Sequence, residues 1–247
     1  MTCIIFITAS NSTALAAESP TLQKMKNYLL SIGTDQEFLN DITDKRIEKL
    51  YQMFIGKDVT FSGYETEIVE IKDGDPRLRG QISTSQLKLG VGVYEFTSGG
   101  KITGMNVSTV YEWLKDPILH WTDAHTFNFD GSKFKIGGIY AESGYDMSNQ
   151  FLLIDSVDAP ATAADGGLGW FLSITKGNLP KSYLNRGGAD IYLIPRNGSA
   201  TKAQLSSSFY YTYAHQLLTG SISLGIDSGS VTLAGGSYDY QTKISNY

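Results

Sequence analysis

The sequence predicts a mainly β protein: an antiparallel β-sandwich or jelly-roll-like domain preceded by a small three-helix N-terminal module. Two observations carry this expectation. Up to about residue 56 the apolar residues recur at helical spacing. From Val59 onward, short apolar/polar alternations are broken by Gly-rich turns. The composition agrees, because 15 Tyr and 26 Gly suit a pleated surface and its turns. Strands and helices do not alternate regularly, which argues against a Rossmann or TIM architecture.

Residues 1–17 read as a signal peptide. Cys3-Ile4-Ile5-Phe6-Ile7 forms a short apolar core, and Ala14-Leu15-Ala16 has the small-x-small form of a cleavage site. No Lys or Arg precedes Lys24, so the usual basic start is missing. A leader truncated at its start and a short buried strand are the alternatives. Export is the expectation, to the extracellular space or the cell surface. Cys3 is the only cysteine. A chain cleaved after the leader would be free of thiols, leaving no disulfide scaffold, catalytic Cys or Cys-based zinc site. No later run approaches the roughly 18 apolar residues of a membrane span, so the mature chain is expected to lack one.

Residues 19–56 read as a helical headpiece. Ser19-Pro20 has the order of an N-cap and a first helical residue, and Leu22, Met25, Leu29 and Ile32 follow at spacings of three and four. Gly33 is placed to end this helix. Thr34-Asp35-Gln36-Glu37 has the pattern of a capping box for a second helix with Phe38 and Leu39 inward. Thr43 or Asp44 caps a third, with Ile47, Leu50, Tyr51 and Phe54 in one stripe and Gly56 beyond its end. About 37 residues is too few to fold alone, so the module is expected to pack on the β domain.

Residues 58–247 read as ten to twelve strands, a rough count from the alternation. Leu87–Phe96 and Ile102–Trp113 flank Thr97-Ser98-Gly99-Gly100 as a hairpin. Strands on either side of Asp130-Gly131, of Asn197-Gly198 and of Asp227-Ser228-Gly229 are expected to pair in the same way. The scattered Gly pairs read as turns and bulges; none precedes Lys-Ser/Thr, so no phosphate loop and no cofactor is expected.

The net charge of −5 argues against a nucleic-acid partner, which would meet a basic face. The candidate ligand-binding residues are aromatic: Trp113, Trp121, Tyr210, Tyr211 and Tyr213, whose flat rings stack on sugars or on partner side chains. In Phe209-Tyr210-Tyr211-Thr212-Tyr213 successive side chains face opposite sides, so at least one Tyr points outward. Core packing is the competing use for all of them. Glu95 and Glu112, on neighbouring strands, are the candidate carboxylate pair of a glycan hydrolase, and solvent-facing strand residues otherwise. His120, Asp123 and His125, with His215 as the only other imidazole, are the candidate metal ligands; hydrogen bonding to the backbone is the simpler use. Asp73 and Asp75 form an acidic turn that leaves calcium open. Ser221–Leu233 alternates Ser/Thr with aliphatics as a membrane hairpin does, but its arms are short for one. The leading expectation is a non-catalytic extracellular binding module for carbohydrate or a cell-surface partner. A glycan-active hydrolase comes second and a membrane-active β toxin third.

Overall fold

A computed structural model describes residues 20–73, 83–115, 122–147, 150–156, 160–173, 185–216, 222–235 and 238–247. Residues 1–17, with the expected leader, and His120, Trp121 and Asp75 lie outside them. Three helices come first: α1 (Pro20–Ser31), α2 (Gln36–Asp41) and α3 (Asp44–Phe54). Nine strands follow: β1 (Val59–Asp73), β2 (Ser83–Ser98), β3 (Lys101–Lys115), β4 (Thr122–Asn128), β5 (Phe134–Met147), β6 (Gln150–Ser156), β7 (Thr162–Ala164), β8 (Gly167–Ser173) and β9 (Arg186–Pro195). A short α4 (Lys202–Leu205) precedes β10 (Ser208–Gln216), β11 (Ile222–Asp227), β12 (Ser230–Gly235) and β13 (Tyr238–Asn246). One sheet has six strands in the order β1-β2-β3-β9-β5-β6 and the other five, β13-β10-β4-β8-β7, while β11 and β12 pair alone. All of these pairings are antiparallel, as the short connections predict.

The layers follow from the period of two along each strand. In β3 the side chains of Met105, Val107, Tyr111 and Trp113 enter the sandwich core with Leu87, Leu89, Val91 and Ile191 from the same sheet. Phe127, Leu168, Trp170, Phe209, Tyr211 and Tyr213 meet them from the five-stranded sheet. The alternate positions of the six-stranded sheet face the helices. There Tyr94, Phe96 and Val110 pack with Leu29, Phe38, Ile47, Leu50 and Phe54. β3 is therefore buried continuously from Gly104 to Tyr111, although its sequence is not uniformly apolar. On the far side of the sandwich, β11 and β12 cover the five-stranded sheet through Ile222, Leu224 and Leu233, packed on Ala124 and Ala214.

The helices end largely as expected. Thr43 caps α3 by accepting from the Arg46 amide at 3.2 Å, and Gly33 and Gly56 follow α1 and α3 in left-handed conformation. The capping box at Thr34 does not form. Asp35 is the N-cap of α2 with no side-chain bond, and the Thr34 hydroxyl lies 3.2 Å from Tyr94 Oη in the helix–sheet interface.

Two of the expected hairpins hold: β2–β3 around Gly99-Gly100 and β11–β12 around Ser228-Gly229. The other two are crossovers. Asp130-Gly131 joins β4 in one sheet to β5 in the other. The Asp130 carboxylate accepts from the Ser132 amide at 2.9 Å and its carbonyl from the Lys133 and Phe134 amides, so the turn is held locally rather than by a strand partner. Asn197-Gly198 likewise ends β9 with a Gly198 amide bond to Pro195 at 2.9 Å. The chain then starts α4 with a Thr201/Gln204 capping box and enters the other sheet. The stretch before β10, expected as strand, is helical because that box gives its backbone local partners.

Candidate functional site

The expected site residues fall in different places. Glu95 and Glu112 lie on opposite faces of the six-stranded sheet. Glu95 opposes Met105 of the sandwich core, and Glu112 opposes Lys88, which reaches Asp41 of α2 at 2.6 Å. The two are also seven positions apart along β3, about 23 Å at roughly 3.3 Å per residue. They do not form the expected pair. Glu95 instead accepts from Lys202 Nζ at 2.8 Å and from the Ser62 hydroxyl. Burial pushes its carboxyl up, but these donors outweigh that and hold it below the usual range.

Among the aromatic candidates, Tyr210 is 43% exposed on the outer face of the five-stranded sheet, meeting the expectation that one Tyr of this run points outward. Trp113, Tyr211 and Tyr213 turn inward and are buried in the core. A ligand on the outer surface does not reach them, because their parity along β3 and β10 puts them between the sheets.

Asp123 and His125 share a face, as strand geometry predicts, and that face is the core. Tyr213 Oη donates to Asp123 Oδ2 at 2.7 Å, and Trp113 Nε1 donates to Tyr213 Oη at 3.2 Å. His215 Nδ1 sits 3.0 Å from Asp123 Oδ1. His125 turns to other partners: it stacks on Trp170 at 4.8 Å, and its Nδ1 lies 3.2 Å from Tyr211 Oη. Among the described residues no group of three His, Cys, Asp or Glu side chains is placed to hold a metal ion. Burial, with the Arg46 charge adding to it, holds the His125 imidazole down to about 3, so this ring is neutral at ordinary pH. Burial raises the Asp123 carboxyl, against the opposing pull of His215 and Tyr213. Among the described residues the cluster is a buried polar chain that links the two sheets.

The helix–sheet interface is where polar chemistry meets open space. Arg46 of α3 is 1% exposed and points into the sheet, where Nε and Nη2 meet both oxygens of Asp190 at 2.9 and 2.8 Å. Its remaining donors reach the carbonyls of Thr109 at 3.0 Å and Ala189 at 3.2 Å. Ser108 donates to Asp190 Oδ1 at 2.5 Å. Burial alone would disfavour the guanidinium charge; Asp190 outweighs it and raises the group further above its ordinary value. Gly188 makes room for this: a Cβ there would stand 1.9 Å from the Thr109 oxygen and 2.8 Å from Arg46 Nη1.

One helical step away, Lys45 and Lys49 stand at the rim of a cleft of about 610 Å³ between α3 and β5. Its lining includes Glu48, Gln52, Gly138 and Tyr140, with Asp190 at the base. A bulge between Ile136 and Gly138 shifts the register of β5 on β9, after which Tyr140 opposes Asp190 on the helix-facing side. Among the described residues, a Cβ at Gly138 would have just the Tyr192 Cβ within 4 Å, at 3.9 Å, which leaves it room on this part of the floor. Lys49 Nζ lies 4.2 Å and Lys45 Nζ 5.5 Å from the centroid of the Tyr140 ring. Tyr140 Oη donates to Glu142 Oε2 at 2.8 Å, and Thr43, the cap of α3, donates to Glu142 Oε1. Burial, with Glu142 beside it, raises the Tyr140 hydroxyl and keeps it a neutral donor. The sequence reading missed this site, since its parts are about 90 positions apart and Arg46, inside a charged helix, reads as solvent-facing.

No protein-family model matches the chain, and neither does any curated protein.

Proposed function

We propose that the protein is an exported, non-catalytic binding module that takes a carbohydrate in the cleft between α3 and β5. The observation that carries the reading is the cleft itself. Its volume of about 610 Å³ falls within the roughly 300–1,000 Å³ typical of small-ligand sites. It sets the exposed polar side chains of Lys45, Glu48, Lys49 and Gln52 beside a floor of Gly138, Ile139 and the largely buried Tyr140, a few polar groups against a firm base of the kind that orients a hydroxylated ligand. The apolar run Cys3–Ile7 followed by Ala14-Leu15-Ala16 supports export. No described helix is long and apolar enough to cross a membrane.

The test is a glycan array probed with the purified protein and with Gly138→Leu. That variant fills open space on the cleft floor, so it is expected to fold as the parent does and to lose the array hits. Equal retention of hits by the variant would place binding elsewhere. Release of shortened saccharide from a hit would contradict the non-catalytic reading.

A further inference from the structure

From the charge layout of this same cleft we infer that its ligand is an acidic saccharide, whose carboxylate or phosphate is held between Lys45 and Lys49. The inference rests on the carbohydrate reading above and adds the ligand's charge. Lys26, Lys88, Lys133, Lys202 and Lys243 each meet a carboxylate within 3.8 Å. Lys45 and Lys49 meet none among the described residues, as is also true of Lys57, Lys101, Lys115 and Lys135; what sets them apart is that both lie over the one Tyr140 ring and line the cleft. They are one helical turn apart, so two like charges share one ring, an arrangement that costs free energy until an anion sits between them. The buried carboxylates are already engaged, Asp190 by Arg46 and Ser108 and Glu142 behind it by Thr43 and Tyr140, so the exposed Glu48 is the one lining carboxylate that competes for the two lysines. Glu48 and Gln52, on the same helix wall, are placed to bond sugar hydroxyls. In a chain of net charge −5, this wall sets two lysines against the single Glu48, a small local excess of positive charge that favours an anion at short range.

The experiment is isothermal titration of the full chain with three saccharides of matching length: an oligogalacturonate, a phosphorylated galactan oligomer, and the neutral galactan. At least one acidic oligomer is expected to bind about tenfold or more tightly than the galactan, from one charge-assisted contact. Lys45→Gln and Lys49→Gln should each remove about that factor, and raising the salt to about 1 M, where screening acts within about 3 Å, should do the same. Which acidic arm binds identifies the carboxylate or the phosphate. Equal affinity for the neutral and acidic oligomers, or affinity unmoved by both Lys variants, would overturn the inference. If galactan binds, is blocked by Gly138→Leu and ignores the Lys variants, the cleft remains the site and only its acidic preference falls. If no oligomer binds and the array is also blank, both readings fall together.

Discussion

The six-stranded sheet is covered on both faces, and the two faces are closed by different means. Towards the second sheet, side chains of period two meet others of period two. Leu89, Val107 and Ile191 pack with Phe127, Trp170 and Phe209, and the polar side chains pair among themselves, Trp113, Tyr213 and His215 around Asp123 and Tyr211 with His125. Towards the helices, a period of two meets a period of 3.6, and the match is local. It is close at Phe38, Phe54 and Tyr94, which pack ring on ring, and it opens beside α3, where Arg46 and Asp190 share an ion pair and Lys45 and Lys49 border a cleft. Where a like element closes the face, the described side chains of the two layers are buried against one another. A face closed by an unlike one leaves room, and that room holds the candidate site.

The comparison breaks most sharply at its buried charges. Asp190→Ala leaves the Arg46 guanidinium buried without its counter-ion, and urea unfolding should show a loss of about 3–5 kcal/mol. Replacing both partners with apolar residues should cost less than the single change, since no charge is then stranded. On the sandwich face the matching test is pH. His125 is held neutral with a folded value near 3, against about 6.5 in an unfolded chain. Below 6.5 the unfolded chain therefore binds a proton that the folded chain does not. Stability should fall as pH drops from 6.5 towards 3, by about 1.4 kcal/mol per unit from this group. Asp123, raised by burial, runs the opposite way, so the His125 share is the difference in slope between the parent and His125→Phe, which should flatten it. An unchanged slope in the variant would contradict the burial of this ring.

Smaller effects follow. Tyr213→Phe removes the hydroxyl that serves both Trp113 and Asp123, and should cost about 1–3 kcal/mol. Thr43→Ala removes the α3 cap and a donor to Glu142, for about 1 kcal/mol. Lys45→Gln and Lys49→Gln should shift stability by no more than about 0.5 kcal/mol, because exposed residues carry little of the fold. A large loss from either would make the lysines structural rather than ligand-facing.

The strands and helices were legible in the sequence because each has a single period and a marked end, as in Leu87–Phe96 or at Gly33. What hydrophobic pattern cannot distinguish is a turn within a sheet from a turn between sheets. Asp130-Gly131 and Asn197-Gly198 carry hairpin residues, yet their flanking strands find partners elsewhere in the chain. That at least one Tyr of the Phe209–Tyr213 run points outward was legible from alternation; that it is Tyr210, with Trp113, Tyr211 and Tyr213 buried, depends on which face the second sheet covers. Nor does pattern identify a charged residue as internal. Arg46 sits between Lys45 and Ile47 in an ordinary amphipathic helix, and only Asp190, 144 positions later, gives it a partner. The cleft is hidden for the same reason, since it exists only once α3 lies across β5.

The most direct test of the cleft as the ligand site is an amide chemical-shift titration of the ¹⁵N-labelled protein with the tightest-binding saccharide. The shifts should concentrate on Lys45–Met53 of α3 and on Gly138–Tyr140 of β5, and be absent from Gly138→Leu. Shifts centred instead on the exposed face around Tyr210 and Phe171 would contradict the assignment.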